Sequence, residues 1–282
     1  HRGGAPASRA RRRCPARACP GADRVELPAL HGHGVLVTRP HGQQEPLVTA
    51  LAEAGALVLG FPVIEIVPRA RTVIETEAAK LDAADVSIFV STNAVEYGID
   101  FGMGMIAAIG PATAQAIEAA GKIVDLRAAT GFSSEDLLSI DELHNVTGKT
   151  VRIIRGSRGR ELLAQTLASR GANVEYLGVY DRRLPAYEST EIDRLEEHWR
   201  NGDIDVIVVM SVESFDNLVK LLPDSLVPEL NEARLVTPAK RVLKEIEERF
   251  PGADVSLAEA PDVGAIVEAV IESLEPPREI PR

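Results

Sequence analysis

The sequence has little cysteine, few aromatic residues and no long apolar run. Its two cysteines, Cys14 and Cys19, lie close to the start of the chain, which excludes a disulfide framework and a cysteine nucleophile in the remainder. A reducing cytoplasm is therefore the expected compartment. No apolar run approaches the roughly 18 residues that a membrane-spanning helix needs, so we expect no membrane partner.

Net positive charge is missing as well. The formal net charge is −11 and the sequence pI is about 5.1, so bulk attraction to nucleic acid or to an anionic membrane is not expected. Any anionic ligand must therefore be held by local groups. Aromatic residues make up only 4% of the chain, which favours sheets of Val, Ile, Leu and Ala covered by helices. The composition thus predicts an α/β protein.

Several familiar functional motifs are also absent. The sequence contains no Walker A loop, no Gly-x-Gly-x-x-Gly dinucleotide motif and no nucleophile elbow. His31 and His33 resemble a pair of metal ligands, but they stand in the leader and have no third ligand at a suitable spacing. We therefore expect no metal site.

The length of 282 residues is enough for two modest cores. Residues 1–33 are rich in Arg, Ala, Gly and Pro without a periodic apolar face, which predicts a disordered leader and also fits a transit peptide. From Gly34 onward apolar runs alternate with amphipathic stretches, as in parallel sheets covered by helices on both faces. The predicted strands include "VLVTRP", "SIFVS", "MIAAIG", "KIVDL", "TVRIIRG", "DVIVVMS", "RLVTP" and "DVSLAEA".

One segment occurs twice. "QEPLVTALAEAGALVLGFPVI" at 44–64 is matched, without a gap, by "RELLAQTLASRGANVEYLGVY" at 160–180. Looser similarities follow each copy, so the order along the chain is A-B-A′-B′. This order predicts two related α/β units. Ligands of such sheets bind beyond the carboxyl ends of the strands, so two units that face each other form a cleft.

Polar residues and glycine follow the predicted strands where helices begin. Free backbone N–H groups and the helix dipole suit carboxylate or phosphate ligands at such places, whereas helix capping alone is the alternative. Tyr180 ends the second copy of the repeat, where its phenol could donate a hydrogen bond or a proton, or could be buried in the core. The candidate binding residues are Thr38, Arg39, Ser91, Thr92, Asn93, Pro111, Ala112, Thr113, Arg155, Gly156, Ser157, Ser211, Thr237 and Lys240.

Arginines gather around the two copies of the repeat. In an acidic protein, guanidinium groups near strand ends can form a local anion site, although a solvated surface is the alternative. The residues concerned are Arg39, Arg155, Arg158, Arg160, Arg182 and Arg183.

An ordered set of segments resembles the uroporphyrinogen-III synthase family. The resemblance runs from about Gly34 to Leu274, and no single motif in it is decisive. The segments are "VLVTRP", "LAEAGALVLGFPVIEI", "IFVSTNAVEYG", "AAIGPATAQAIEAAG", "GFSSEDLL", "VRIIRG", "GRELLAQTLASRGANVEYLGVYDRRLP" and "DVIVVMSVESFDNL".

The resemblance implies two doubly wound parallel-sheet domains joined by a two-stranded linker. Residues 34–62 with 186–275 would form one domain, residues 67–180 the other, and residues 276–282 a tail. It further implies a cofactor-free, monomeric lyase of tetrapyrrole synthesis. Such an enzyme closes hydroxymethylbilane to uroporphyrinogen III, with inversion of the last pyrrole ring and loss of water. The preceding deaminase and a downstream methyltransferase are the implied protein partners.

Individual positions carry the resemblance into the site. Tyr180 matches the family tyrosine that assists the leaving hydroxyl, Thr113 matches the threonine of a Gly-Pro-x-Thr segment, and Ser91 and Ser211 match the strand-end serines. Lys240 departs from the pattern, since a second threonine is expected there. This departure leaves open an alternative function, a catalytically degenerate module that binds a tetrapyrrole or a similar anion.

Overall fold

Short strands alternate with helices in the computed structural model, which describes residues 29–129, 131, 133–159 and 161–275. The strands are β1 (Gly34–Val37), β2 (Leu57–Gly60), β3 (Glu65–Pro68), β4 (Val86–Phe89), β5 (Met105–Ala108), β6 (Thr150–Gly156), β7 (Asn173–Arg183), β8 (Val206–Val208), β9 (Arg234–Thr237) and β10 (Asp254–Leu257). The helices are α1 (Glu45–Glu53), α2 (Arg71–Ala78), α3 (Thr92–Gly98), α4 (Pro111–Ala119), α5 (Ser134–Leu138), α6 (Asp141–His144), α7 (Leu162–Ser169), α8 (Ser189–Asn201), α9 (Val212–Leu221), α10 (Lys240–Arg249) and α11 (Val263–Leu274). Single 3₁₀ turns cover Ile99–Phe101 and Pro228–Glu232.

The strands form two five-stranded sheets. The first has the order β10-β9-β8-β1-β2, and its paired strands are parallel. The second has the order β3-β7-β6-β4-β5, with β3 antiparallel to β7 and the other pairs parallel. Helices cover both faces of each sheet, which confirms the predicted α/β class.

Continuous apolar runs explain why the central strands are buried on both faces. In β1, Val35 and Val37 contact the same apolar cluster as Ile266 of α11, whereas Leu36 contacts the cluster around Phe215 of α9. Successive side chains of a strand point to opposite faces, so a run of apolar residues supplies two cores at once. The second sheet is built in the same way, with separate apolar clusters on its two faces.

The repeated segment folds the same way twice. Its first copy gives α1 and β2, and its second copy gives α7 and the start of β7. The strand before each copy also has an equivalent neighbour, since Val35 pairs with Val206 in one sheet and Val151 pairs with Val86 in the other. The two sheets therefore share one strand order, with β6, β4 and β5 in the places of β1, β8 and β9.

The predicted strand "KIVDL" is wrong. This segment makes a single bridge between Leu126 and Ala107, at the place that β10 holds in the first sheet. Asp125 explains the short pairing, because its carboxylate accepts the Ile106 N–H at 2.7 Å and so takes a donor from the ladder. Ile123 is 78% exposed beyond this sheet edge.

A two-stranded ladder connects the two sheets, as predicted. In it β3 runs antiparallel to β7, and Pro68 lies opposite Tyr180. The chain leaves the first sheet through Val63 and Ile64, which are buried in that sheet's core, just past the predicted boundary at residue 62. Ile66 contacts the apolar clusters of both sheets, so it lies at the junction.

The start of the described chain corrects the predicted leader. Leu30 is fully buried and donates its N–H to the carbonyl of Ala54 at 2.8 Å. A disordered leader that reaches residue 33 is therefore wrong at its C-terminal end. The rest of the predicted leader, residues 1–28, and the predicted tail, residues 276–282, lie outside the described residues.

Candidate active site

A cleft of about 530 Å³ opens where the carboxyl ends of strands from both sheets meet. The second sheet contributes residues that end or follow β4, β6 and β7, and the first sheet contributes residues around the starts of α9 and α10. Five of the predicted site residues line this cleft together: Ser91, Arg155, Gly156, Tyr180 and Ser211.

Tyr180 reaches the cleft with its hydroxyl. The residue is only 3% exposed, and its hydroxyl lies 3.1 Å from the Ser91 hydroxyl, with either group able to donate. Ser91 caps α3 by accepting the Ala94 N–H at 3.2 Å. When Ser91 also donates to Tyr180, the phenol proton remains available to a ligand. The pair can therefore present one hydrogen-bond donor to the cleft.

Gly156 provides the surface on which the Tyr180 ring lies. The register of β6 against β7 shifts between Arg155 and Gly156, and the Ser157 N–H donates to the Tyr180 carbonyl at 2.8 Å. A Cβ on Gly156 would stand 2.9 Å from Cε2 of Tyr180, closer than such atoms approach. A side chain at Gly156 would thus force the ring to move.

Arg155 is buried beneath the loop that follows β6. Its guanidinium donates to the carbonyls of Gly156 and Gly159, both at 3.2 Å, and to Glu161 Oε1 at 3.3 Å. The group also stacks on the Tyr176 ring at 4.5 Å, and the Tyr176 hydroxyl donates to Glu161. Burial and the Glu161 carboxylate raise the pKa of Tyr176 to about 12. Arg155 therefore stabilises this loop, and its predicted contact with substrate stays a prediction.

Ser157 lies beside the cleft rather than among the residues that line it. The Ser157 side chain is the largest cause that lowers the pKa of Asp181, with Arg183 adding to it. Ser157 thus lies close to the residue that follows Tyr180.

The other predicted residues of the second sheet are not among the residues that line the cleft. Asn93 accepts a hydrogen bond from Gln43 Nε2 at 2.7 Å, which connects the loops of the two sheets. Thr113 is buried in the first turn of α4, with 4% exposed. Pro111 and Ala112 are exposed at the start of that helix, and Thr92 begins α3.

The predicted residues of the first sheet divide into buried and accessible groups. Thr38 and Thr237 are fully buried; the first donates to the Val208 carbonyl at 2.7 Å, and the second accepts the Ala239 N–H at 3.3 Å. Neither hydroxyl caps a helix, because the N-cap residues of α1 and α10 are Gln44 and Ala239, without a side-chain cap. Arg39 is half-buried, and burial lowers the pKa of its guanidinium. The family departure, Lys240, is exposed.

Three arginines of the cleft are missing from the predicted binding residues. Arg158, Arg182 and Arg241 all line it, so the described lining contains four arginines, with Arg155, against one carboxylate, Glu213. Arg158 and Arg182 belong to the arginine group noted in the sequence. Arg241, like the predicted Lys240, lies at the start of the helix that follows β9. The cleft is locally basic in a chain of net charge −11, which suits a polyanionic ligand.

The described part of the chain offers neither a metal site nor a membrane span. Among its residues, no group of three His, Cys, Asp or Glu side chains could hold a metal ion. Within the same ranges, none of the helices has the length and apolar character needed to cross a membrane.

The fold and the cleft define a two-domain α/β protein with a basic cleft between two sheets. The family model for uroporphyrinogen-III synthase HemD matches residues 45–268, most of the chain. The uroporphyrinogen-III synthase of Escherichia coli strain K12 is 30% identical over 247 residues, which cover 84% of this chain and 99% of that protein. The chain belongs to the uroporphyrinogen-III synthase family.

Solved structures agree on the fold. The uroporphyrinogen-III synthetase of Helicobacter pylori 26695 matches with a TM-score of 0.58 at 13% identity, over 85% of this chain and 99% of that one. A mutant uroporphyrinogen III synthase of Thermus thermophilus matches with a TM-score of 0.55 at 19% identity, over 86% and 98%.

Proposed function

We propose that the protein closes hydroxymethylbilane to uroporphyrinogen III, with loss of water and inversion of the last pyrrole ring. Its family membership supports this activity. The observation that carries the proposal is the Tyr180 hydroxyl, which is paired with Ser91 at 3.1 Å on the wall of an arginine-lined cleft. The cleft thus offers a positioned hydrogen-bond donor beside groups that hold anions.

Substrate binding follows from charge. The substrate carries eight carboxylates, and Arg158, Arg182 and Arg241 place guanidinium groups on the cleft wall. The first turns of α9 and α10 add backbone N–H groups at the same edge of the first sheet. Arg39 follows β1, which lies next to β8, so it extends this basic edge. Together these groups bind the acetate and propionate side chains of the substrate, although the net charge of the protein is negative.

The bond-breaking step needs only a weak acid. The C–O bond of the hydroxymethyl group breaks as the adjacent pyrrole supplies an electron pair, and the oxygen leaves as water with a proton from Tyr180. Formation of the ring-closing C–C bond then releases one proton from the substrate, which restores the phenol. Tyr180 donates a hydrogen bond to that oxygen, while Ser91 stabilises the phenol oxygen. Because the pyrrole drives the departure, a phenol is sufficient.

The larger task is orientation. The linear substrate closes spontaneously to isomer I, in which the last ring is not inverted. The enzyme must therefore hold the chain so that a different carbon of the last ring forms the closing bond. A cleft with walls on two separate sheets can fix both ends of a flexible tetrapyrrole. Rate and product identity then depend on the contacts of the whole chain of rings as much as on Tyr180.

Product analysis tests the proposal. Purified protein is mixed with freshly made hydroxymethylbilane, and the uroporphyrinogen isomers are separated after oxidation. Isomer III in excess over a protein-free control supports the synthase. Binding of uroporphyrinogen accompanied only by isomer I at the spontaneous rate would show a ligand-binding module, the alternative that Lys240 leaves open.

The proposal extends to compartment and partner. Because hydroxymethylbilane closes by itself, direct delivery by the deaminase that makes it would reduce the loss to isomer I. We place both proteins in the cytoplasm, and a downstream methyltransferase would take the product. Analytical ultracentrifugation of mixtures with the deaminase during turnover tests the first partnership, and unchanged sedimentation would contradict it.

A further inference from the structure

The cleft contains one carboxylate among its described lining residues, and that carboxylate already holds an arginine. Glu213 Oε2 lies 2.8 Å from a terminal nitrogen of Arg182. Arg182 belongs to β7 of the second sheet, whereas Glu213 belongs to the first turn of α9 beside the first sheet. The ion pair therefore spans the cleft.

A carboxylate in this position opposes a polyanionic ligand. Every negative group on the wall repels the substrate, and Glu213 also occupies a guanidinium that could bind it. Its location nevertheless stabilises Glu213, because a negative side chain in the first turn of a helix interacts favourably with the helix dipole. Glu213 can therefore lose Arg182 as a partner without being left as an uncompensated charge.

The Arg182–Glu213 ion pair is also accessible enough for a ligand carboxylate to replace Glu213. The Arg182 side chain is 33% exposed and the Glu213 side chain 49% exposed. Ion pairs in such surroundings contribute little net stability, since water and salt screen them. A ligand carboxylate that enters the cleft can replace Glu213 on Arg182 at small cost.

We infer that Glu213 is an internal competitor that stands on Arg182 in place of a substrate carboxylate and is displaced when the substrate binds. This inference rests on the proposed function, since it needs a polycarboxylate in the cleft. It assigns Arg182 to substrate binding and Glu213 to the control of substrate affinity. The exchange also removes one of the contacts between the two halves of the cleft, so binding alters the connection between them.

Three variants measure the exchange. Glu213→Gln removes the competing charge, and we expect KM for hydroxymethylbilane to fall about two- to fivefold, the range that corresponds to a partly exposed ion pair. Glu213→Ala repeats the test without an amide that could hydrogen-bond to Arg182. In an Arg182→Ala background the same Glu213→Gln change should lower KM clearly less, because only the repulsion of the substrate is removed and no guanidinium remains to be released.

A matched control separates competition from general charge. Asp216 lies on the same helix and pairs with Arg249 at 2.6 Å, outside the lining of the cleft. Asp216→Asn removes one negative charge, as Glu213→Gln does, and should leave KM unchanged. If Glu213→Gln lowers KM equally with and without Arg182, simple repulsion is the cause and the exchange is refuted.

The result is distinguishable from a failure of the proposed function. If the wild-type protein forms isomer III but neither Glu213 variant lowers KM, the synthase stands and the exchange is refuted. If the wild-type protein forms no isomer III, the synthase fails, and the affinities of the same variants for uroporphyrinogen III still decide the exchange. Equal affinities of wild type and both Glu213 variants would then overturn it.

Discussion

At the scale of single residues, Tyr180 combines a buried ring with an accessible hydroxyl. Its ring belongs to the apolar cluster on one face of the second sheet, next to Tyr97 at 6.3 Å between ring centroids. Burial fixes the ring, and the hydrogen bond to Ser91 fixes the hydroxyl. A donor fixed in this way loses little freedom when the substrate binds, which is the condition for efficient proton donation.

Replacing Tyr180 by Phe should keep the ring and remove the donor. We expect the rate of isomer III formation to fall about 10- to 100-fold, equivalent to about 1.4–2.7 kcal/mol of transition-state stabilisation. The affinity for product should stay within about twofold, because the carboxylate contacts remain. Steady-state kinetics and product titration measure the two quantities.

Tyr97→Phe is the matched control, since it changes a neighbouring tyrosine while the Ser91 contact remains. Full activity of Tyr180→Phe would remove the acid role and leave catalysis to orientation.

At the scale of elements, the bulged pairing of β6 with β7 places Tyr180. The shift at Gly156 lets the ring lie against backbone, and no side chain fits between them. Strand β7 continues beyond the sheet as the ladder with β3, so one strand carries both the phenol and the connection to the first sheet.

A methyl group at Gly156 tests this placement. Gly156→Ala should lower the free energy of unfolding by about 1–3 kcal/mol, the usual effect of inserting a methyl into a packed site. The isomer III rate should fall with it, because the phenol moves from its position.

Gly264→Ala is a suitable control, because Gly264 lies in α11, where the atom nearest to an added Cβ, Asp262 Oδ1, would stand 3.4 Å away. This change should be neutral or stabilising by up to about 1 kcal/mol. Equal effects of the two substitutions in urea unfolding would contradict the placement.

The linker offers a second test at this scale. The Tyr187 ring stacks on Phe61 at 4.6 Å, its hydroxyl donates to the Pro62 carbonyl at 2.6 Å, and burial raises the pKa of Tyr187 to about 12. Since the pKa is raised on folding, the neutral phenol stabilises the protein fully below its ordinary pKa of about 10. That contribution is lost as the pH rises from about 10 through about 12.

Tyr187→Phe should therefore cost about 1 kcal/mol of unfolding free energy at pH 7, the typical value of one hydrogen bond. The difference from wild type should shrink when unfolding is measured at pH 11, because only the wild type gains an ionised phenol in its unfolded state. A difference that grows with pH would contradict the assignment.

At the scale of the whole molecule, few described contacts connect the two sheets. The chain crosses near Val63 and again after Arg183, and the Gln43–Asn93 hydrogen bond and the Arg182–Glu213 ion pair add polar contacts. We propose that residues 34–64 with 186–275 and residues 67–180 move as two bodies about this linker. Few contacts between the two bodies permit such motion, and the cleft lies where closure would enclose a ligand.

Small-angle scattering checks the motion. Addition of uroporphyrinogen III should lower the radius of gyration as the cleft closes, whereas a tetrapyrrole without carboxylates should leave it unchanged. Identical curves with and without bound product would show a rigid cleft.

Local sequence patterns are enough to specify most strands, their order along the chain and the repeat. Unbroken apolar runs such as the one around Leu36 require burial on both faces, and the duplicated segment places equivalent strands in both sheets. The location of Tyr180, Ser91 and Ser211 at one edge was also predictable, because parallel strands present their carboxyl ends there; their roles stay a prediction. Neighbouring residues specify these features, and no contact with a distant part of the chain is needed.

Which strand-end groups meet depends instead on the tertiary structure. Thr38 and Thr237 follow the same pattern as Ser91 and Ser211, yet they are fully buried. Glu213 faces Arg182 across the cleft, although 31 positions separate them in sequence. Such contacts depend on strand register and on how two separately folded sheets approach each other. A pattern that repeats within one strand or one helix carries no information about either.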